Sequence, residues 1–441
     1  MKEKIIQFGT GNFLRAFADY FIDKLNKDNL FDGKVVIVSP TNSKTVEKIN
    51  SQQGKYNLYI RGISDNKEIC NRIQIDSISR AINPYMDFDS YISLAHNQEF
   101  RYIISNTTEA GIIFSQDDKF NDRPAKSFPA KLTQLLFERY KLNLDGFIIF
   151  ACELIDNNAD VLKECVLKYA DLWQLGDDFT KWICNNNHFC NTLVDRIVTG
   201  YPKDEAQSLC EEIGFDDKLL DTAEPYHLWA IEGDFENELP LKKAGLNVIW
   251  TDDIKPYKKM KVRILNGSHT SLVFASLLCG ISTVKQSLDD DDLHKFLNLC
   301  MFDYILPTLG DTEENRAFAN AVFERFANPY IKHMWKSISL NSVSKFNARV
   351  LPTIIDYINK NNAVPKPLAF SLACLIEYYK NNEVNDSENA VNYIREHNIE
   401  NILSNTDIWD YDLSMLVETV NESLIKIHKE GIREALRWAM S

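Results

Sequence analysis

The segment from Lys258 to His269 carries three side-chain types that suit the reduction of a carbonyl group. It reads KKMKVRILNGSH and contains Lys261, Asn266 and His269. At about 100° per residue in an α-helix, these three residues lie at roughly 0°, 140° and 80° around the axis, on one side of the helix. A lysine ammonium can protonate a developing alkoxide, and an amide N–H can polarise the carbonyl. The pattern predicts a proton-transfer site, with a solvated lysine and a helix-packing asparagine and histidine as the alternative.

A glycine turn near the beginning of the sequence predicts a dinucleotide site. The segment Gly9–Arg15, GTGNFLR, follows a short apolar run and precedes apolar residues at helical spacing. In such a turn the first glycine permits the tight bend, and the second lets backbone N–H groups approach a pyrophosphate. Leu14 stands where the usual fingerprint has a third glycine, so the motif depends on its position between a strand and a helix.

The second predicted strand ends without the acidic residue that normally contacts the adenosine ribose. The apolar run VVIV, ending at Val38, is followed by Ser39, Pro40, Thr41 and Asn42. A carboxylate at this point would favour a ribose hydroxyl, as in NAD sites. Serine, threonine and asparagine could hold either a hydroxyl or a phosphate, so these residues leave NAD and NADP open.

The elements that must position these residues change in character along the chain. Short apolar strands alternate with helices in the first half, which indicates right-handed crossovers and a mostly parallel sheet. The strands are predicted at Lys4–Phe8, Lys34–Val38, Tyr102–Ile104 and Gly146–Phe150, and the helices at Phe13–Leu25 and about Pro124–Tyr140. After about residue 255, amphipathic helical segments dominate. We therefore predict an α/β protein with a Rossmann-like dinucleotide-binding domain at 1–255 and an all-helical substrate-binding and catalytic domain at 256–441.

The composition of the chain limits the kinds of molecule that it can bind. The 441 residues are 45% hydrophobic and 25% charged, which is typical of a globular chain of two domains. The net charge of -14 argues against nucleic acid or an anionic membrane as a partner. No apolar run approaches the ~20 residues that span a bilayer. Nine scattered cysteines indicate a reducing cytoplasm, and the cluster Cys184, His188 and Cys190 lacks a fourth ligand at the spacing of a zinc site, so no metal is expected.

Several motifs resemble those of the polyol-specific long-chain dehydrogenases, the mannitol dehydrogenase family. KVRILNGSH resembles that family's KxxxxNxxH signature, and GTGNFLRAF resembles its GxGxFxRA turn. Further matches are Asn106–Gly111, Cys152–Asp156, Val194–Ile197, Trp229–Glu232, Thr251–Asp253 and Pro256–Tyr257. The resemblance covers about residues 1–280 and weakens beyond them.

This resemblance implies an enzyme that uses NAD, without a metal, to interconvert a ketone and a secondary alcohol on an open-chain sugar acid or polyol. IIQFGTGNFLRAF and SNTTEAGI look most like the family members that reduce a keto-hexuronate. Lys261 would then be the general acid and base, and Asn266 would hold the reacting oxygen together with Asn158, which is expected in the loop after the predicted strand Gly146–Phe150. His269 would orient the substrate, and Asp195 would be an acid behind these groups. The implied cofactor-binding residues are Phe8, Gly9, Thr10, Gly11, Asn12, Phe13, Leu14, Arg15, Thr108 and Glu109.

A sugar acid also needs a cationic partner for its carboxylate. Lys345 and Arg349 lie in the helical half, where the resemblance implies substrate contacts, and a guanidinium can pair with a carboxylate in bidentate fashion. The alternative is that both are solvated helix charges. Arg15 could contact the pyrophosphate or brace the turn. The remaining histidines, among them His333, are expected to be structural or exposed.

Two alternatives stay open at this stage. The first is a related enzyme that acts on another hexuronate or on a polyol. The second is a non-catalytic dinucleotide-binding sensor or scaffold. The combination of Lys261, Asn266 and His269 argues against the second alternative, because a sensor has no need of a proton donor.

Overall fold

The computed structural model describes residues 1–108 and 110–441. Glu109, a predicted neighbour of the nicotinamide, lies outside the described residues. The chain divides into two compact units, Met1–Ile254 and Lys255–Ser441.

The strands of the first unit form two sheets. In chain order they are β1 (Lys2–Phe8), β2 (Gly33–Val38), β3 (Tyr56–Ser64), β4 (Lys67–Ile75), β5 (Ile78–Ile82), β6 (Tyr102–Ser105), β7 (Ile148–Ala151), β8 (His188–Asp195), β9 (Asp221–Ala223), β10 (Leu228–Glu232) and β11 (Val248–Thr251). Among the described residues, the larger sheet has eight strands in the order β11-β10-β8-β7-β6-β1-β2-β5, and the smaller has the order β4-β3-β9.

The larger sheet has the topology of a dinucleotide-binding fold. Its neighbouring strands are parallel except for the antiparallel pair β8 and β10. From β1 the chain moves outward through β2 and β5, and then returns to place β6 on the other side of β1. The strand order therefore reverses between β1 and β6, where ligands bind in open α/β sheets. The predicted Rossmann-like, mostly parallel sheet is confirmed.

Helices cover both faces of this sheet. They are α1 (Asn12–Arg15), α2 (Ala18–Lys27), α3 (Thr45–Ser51), α4 (Phe88–Ile92), α5 (Phe128–Lys141), α6 (Asn158–Leu172), α7 (Asp177–Asn186) and α8 (Ala206–Ile213), with a 3₁₀ turn at Ser93–His96. Val35 and Ile37 pack into one core cluster, and Val36 and Val38 into another, so successive residues of β2 are buried on opposite faces. This burial on both faces explains the continuous apolar run.

The prediction of one helix over Phe13–Leu25 is wrong, because the chain breaks between α1 and α2. At the break, the Tyr56 hydroxyl donates to the carbonyl oxygen of Arg15 at 2.6 Å, and the Arg196 guanidinium donates to that of Ala16 at 2.7 Å. Both carbonyls are therefore bonded to side chains from distant parts of the chain. Phe17 leaves the helical conformation, with φ -126° and ψ -89°.

The regular elements of the second unit are helices, which confirms the predicted helical character of the C-terminal region. Its α-helices are α9 (Lys255–Met260), α10 (Gly267–Leu278), α11 (Val284–Leu288), α12 (Asp291–Leu299), α13 (Leu306–Leu309), α14 (Glu313–Phe326), α15 (Trp335–Ile338), α16 (Ser342–Arg349), α17 (Leu351–Asn361), α18 (Lys366–Asn381), α19 (Glu388–Glu396), α20 (Ile399–Ser404), α21 (Thr406–Trp409), α22 (Val417–Glu430) and α23 (Ile432–Ala439). Two π-helical segments, Lys261–Asn266 and Cys300–Ile305, and a 3₁₀ turn at Ser414–Leu416 complete the list.

The core of this unit forms around α18. Residues 368–376 of that helix are fully or almost fully buried, and α18 packs against α10 and α22. Among the described residues, no helix is both long enough and apolar enough to cross a membrane.

Candidate active site

The glycine turn lies at the carboxyl end of β1, beside the end of β6. Gly9 has φ +139°, and a Cβ atom there would lie 2.9 Å from the carbonyl oxygen of Asn106. The N–H of Asn106 in turn donates to the carbonyl oxygen of Phe8 at 3.0 Å. The turn therefore needs glycine both for its conformation and for the close approach of the two backbones.

Gly11 faces open space instead. A Cβ atom at this position would meet no atom within 4 Å, and Gly11 lines a cavity of about 560 Å³ together with Thr10, Asn12 and Arg15. The turn thus leaves room for a pyrophosphate against its backbone, which fits a dinucleotide. Because α1 has a single turn of four residues, backbone N–H groups rather than a long helix dipole would attract such a ligand.

The side chains of the turn divide between structural and cavity-lining positions. Phe8 and Leu14 are buried in the core. The Arg15 guanidinium donates to the carbonyl oxygen of Thr10 at 2.7 Å and also bonds the side chain of Asn12. These bonds brace the turn; because Arg15 also lines the cavity, its contact with a pyrophosphate stays a prediction. Phe13 lines a separate cavity.

This second cavity, of about 370 Å³, is next to the end of β6. It is lined by Phe13, Asn106, Thr108, Leu154 and Val194. Thr108 has φ +94°, a conformation that a β-branched residue rarely adopts and that is found mainly at functional sites. Thr108 thus lines this cavity at the end of β6, and its place beside the nicotinamide stays a prediction.

Glu153, which was not among the residues predicted from the sequence, holds the loop that carries Thr108. Its buried carboxylate accepts bonds from the Thr107 N–H at 3.0 Å, the Thr107 hydroxyl at 3.1 Å and the Ser105 hydroxyl at 3.0 Å. Burial raises the pKa of Glu153, and these bonds oppose the rise. Its place in the matching segment Cys152–Asp156 was the available signal.

Asn158 differs from its predicted position. The sequence predicts it in the loop after β7, but it is the first residue of α6 and is buried. Its amide nitrogen donates to the carbonyl oxygens of Glu153 at 3.0 Å and Thr192 at 2.9 Å. Its oxygen accepts the N–H groups of Thr192 and Ala159, both at 3.0 Å. These bonds use the two donors and two acceptors of the amide. These bonds do not favour a role for Asn158 in holding the reacting oxygen, and that role stays a prediction. The role of Asp195, which is buried at the end of β8, also stays a prediction.

The Lys261 segment is a π-helix rather than the predicted α-helix. In a π-helix the backbone bonds join residues five apart, so Lys261 and Asn266, at its two ends, lie about one turn apart. The half-buried side-chain amide of Asn266 makes no hydrogen bond among the described residues. Single π turns inside α-helices are frequent at functional sites. Gly267 follows, where a Cβ atom would come within 3.1 Å of the carbonyl oxygen of Arg349.

His269 lies one turn further along and is 9% exposed. Its ring stacks on Phe326 with centroids 4.0 Å apart, and the ring of His333 lies 5.1 Å away. Its Nε2 has no hydrogen-bond partner among the residues that the structure describes. Burial, and then the charges of His333, Arg325 and Arg349, hold the pKa of His269 well below its usual value, so the imidazole is neutral. His333, which the sequence predicts to be structural or exposed, is therefore a neighbour of His269.

The two cations proposed for a carboxylate have different surroundings. The ammonium of Lys345 donates to the carbonyl oxygen of Ile338 at 2.8 Å, at the end of α15. The half-buried guanidinium of Arg349 makes no hydrogen bond or ion pair among the described residues. Burial lowers the pKa of Arg349. Arg349 is therefore the better placed of the two to meet a ligand.

These features define an α/β dinucleotide-binding protein with a helical second domain. Residues 3–243 match the family model of the mannitol dehydrogenase Rossmann domain, and residues 253–428 match that of the mannitol dehydrogenase C-terminal domain. The chain therefore belongs to the mannitol dehydrogenase family, as its motifs indicated, and is an oxidoreductase that acts on CH–OH groups.

Curated relatives with high similarity to this chain include altronate oxidoreductases. The chain is 42% identical to altronate oxidoreductase of Escherichia coli O7:K1 and 43% identical to that of Shigella flexneri, each over 99% of this chain and 96% of the relative. Altronate oxidoreductase, or tagaturonate reductase, is also the member that IIQFGTGNFLRAF and SNTTEAGI most resemble.

Solved structures show the same fold. Substrate-free D-sorbitol dehydrogenase has a TM-score of 0.88 at 22% identity, covering 99% of this chain and 95% of that chain. Mannitol 2-dehydrogenase of Pseudomonas fluorescens, in a ternary complex with NAD and D-mannitol, has a TM-score of 0.71 at 21% identity, covering 99% and 94%.

Proposed function

We propose that this protein reduces the keto-hexuronate tagaturonate to altronate with NADH and catalyses the reverse reaction. Its similarity to altronate oxidoreductase extends over 99% of the chain. The observation that carries the proposal is Arg349, a half-buried guanidinium whose charge acts on His269. A polyol has no carboxylate for such a cation, whereas a sugar acid does.

The dinucleotide is assigned to the first unit. Gly9, Thr10 and Gly11 would face the pyrophosphate with their backbone, because the turn is open at Gly11. Thr108 and Phe13, which line the second cavity, would border the nicotinamide. When bound, the reduced nicotinamide supplies the hydride. Independence of any metal remains a prediction.

The chemistry on oxygen is assigned to the second unit. Lys261, as an ammonium, donates a proton to the carbonyl oxygen as negative charge develops there, and its neutral amine accepts the hydroxyl proton in the reverse direction. The Asn266 amide donates a hydrogen bond to the same oxygen. His269, neutral because it is buried, accepts or donates a hydrogen bond at Nε2 and orients the substrate hydroxyls.

The carboxylate of the substrate is assigned to Arg349. A guanidinium offers two parallel N–H donors to a carboxylate, and partial burial strengthens this interaction relative to water. Lys345 instead bonds a backbone carbonyl in its own unit. It therefore serves as the matched control for Arg349 on the same helix, α16.

The test compares tagaturonate with fructose, an uncharged ketose of broadly similar shape, in NADH oxidation followed by absorbance. Loss of a charge-assisted hydrogen bond costs about 1.5–3 kcal/mol, so kcat/KM should favour the acid by at least ~10-fold. Arg349→Gln should remove most of this preference and spare the rate on fructose. Lys345→Gln should keep the preference.

Other outcomes would assign another function. Equal efficiency on the acid and the ketose would favour a mannitol dehydrogenase, and a preference for fructuronate would change the substrate. Absence of turnover on every keto-uronate and ketose, with NADH still bound, would indicate a dinucleotide-binding sensor.

The nine cysteines are all unpaired, which supports the reducing cytoplasm expected from the sequence.

A further inference from the structure

The cavity at the glycine turn is lined by lysines from three separate parts of the chain. Lys48 belongs to α3, Lys203 lies after β8, and Lys218 precedes β9, and all three border the same cavity as Gly11. The chain as a whole has a net charge of -14, so these three lysines form a local concentration of positive charge in a protein that is acidic overall. Like charges that converge on one cavity repel each other unless an anion is present.

Of the carboxylates near these lysines in sequence, Glu205 and Asp217 are bonded to other residues, and no carboxylate is among the cavity-lining residues that the structure describes. Glu205 pairs with Arg61 at 2.5 Å. The carboxylate of Asp217 accepts the N–H of Asn57 at 2.6 Å and that of Leu219 at 2.9 Å. Among the described residues, Lys48, Lys203 and Lys218 have no ion-pair partner. Their charges are therefore available to a ligand in the cavity.

The segment after β2 has no carboxylate to exclude a phosphate. Residues 39–45 read SPTNSKT, and Thr45 lines the cavity. In sites selective for NAD, an acidic residue at this point bonds the ribose 2′-hydroxyl, and a phosphate on that oxygen would meet its charge. Here the repelling group is missing and cations are present.

We propose that this cavity binds the 2′-phosphate of an adenosine ribose, so that the protein accepts NADPH as well as NADH. Lys48, Lys203 and Lys218 then determine cofactor specificity, with Lys48 nearest in sequence to the end of β2. The inference rests on the proposed function, since it requires the dinucleotide to bind at the glycine turn.

The test measures binding to the full chain by isothermal titration calorimetry, without substrate. Adenosine 2′,5′-bisphosphate should bind at least ~10-fold more tightly than 5′-AMP, because the added phosphate makes charge-assisted bonds, and the difference should shrink as salt rises. The double variant Lys48→Gln with Lys218→Gln should abolish the difference, and Lys48→Arg should retain it. Lys67→Gln, on the exposed strand β4, is the matched control and should change neither affinity.

Each other outcome identifies which proposal fails. If NADH binds but the bisphosphate binds no more tightly than 5′-AMP, the inference is overturned and the proposed function stands. If the double variant weakens both nucleotides equally, the lysines contact the shared part of the ligand, and the 2′-phosphate assignment is wrong. If NADH itself does not bind, both this inference and the proposed function are wrong.

Discussion

Lys261 and Asn266 begin and end a π-helical turn, which distinguishes this pair from ordinary surface residues of a helix. The turn spans Lys261–Asn266, between α9 and α10. Nearby, Arg263 is buried and donates to Thr353 at 2.7 Å and Asp356 at 3.0 Å, which anchors the segment to α17. The backbone that carries Lys261, the proposed acid–base residue, is therefore held in place by the hydrogen bonds of Arg263 and not by those of Lys261 itself.

We therefore expect Lys261→Ala to reduce turnover of tagaturonate by at least ~100-fold, the usual range for the loss of an acid–base group. NADH affinity, measured by fluorescence titration, should stay nearly unchanged, since the dinucleotide residues belong to the other unit. Lys259→Ala, which removes an exposed ammonium two residues away, serves as the control. Turnover close to that of the unchanged protein would remove Lys261 from the mechanism.

At the scale of elements, the glycine turn rests on a buried charged cluster. Asp19 on α2 is fully buried and accepts a bond from Gln7 at 3.2 Å. Arg15 lies 3.7 Å from the carboxylate of Asp221, also fully buried. Burial raises the pKa of Asp19 to about 7 and that of Asp221 to about 7, while the charge of Arg15 opposes both shifts. The folded protein therefore holds protons that the unfolded chain releases near pH 4.

This gives a definite sign to the pH dependence of stability. Between about pH 4 and 7 the unfolded state loses the proton of Asp19 while the folded state keeps it, so the free energy of unfolding falls as pH rises and then levels off above pH 7. Asp19→Asn should reduce this fall in urea unfolding followed from pH 5 to 8, and the part due to Asp221 should remain. Asp117→Asn, at an exposed position, should leave it unchanged. The same slope in Asp19→Asn would show that Asp19 is ionised in the folded protein.

At the scale of the whole molecule, each compact unit carries a different part of the proposed chemistry. The glycine turn, both cavities and the sheet with its two core clusters belong to residues 1–254. Lys261, Asn266, His269 and Arg349 belong to residues 255–441. Units with their own core can fold alone.

We expect a fragment of residues 1–254 to fold and to bind NADH with a Kd within about 10-fold of the full chain, which is about 1.4 kcal/mol. It should have no reductase activity. Far-ultraviolet circular dichroism and titration calorimetry check folding and binding, with Gly9→Ala in the fragment as a non-binding control, because a Cβ atom there would lie 2.9 Å from a backbone oxygen. A fragment that is unfolded, or that does not bind NADH, would contradict this division of roles.

The sequence by itself determined the features that depend on neighbours along the chain. Apolar runs predicted β1 and β2, amphipathic spacing predicted the helical second unit, and Gly9 indicated the tight turn after β1. The motifs around Gly9 and Lys261 also identified the family. These predictions succeeded because strand burial, helical periodicity and glycine conformations are expressed within a few residues of each other.

The tertiary structure alone decided what distant residues do to one another. Tyr56 and Arg196 interrupt the first helix by bonding its carbonyl groups, and His333 joins His269 across 64 positions in the sequence. Asn158 has its amide bonded within the first unit, and Arg349 rather than Lys345 is left without a bond among the described residues. Hydrogen bonds and cavities form between segments that the fold brings together, and local propensity does not encode which partner a polar side chain will meet.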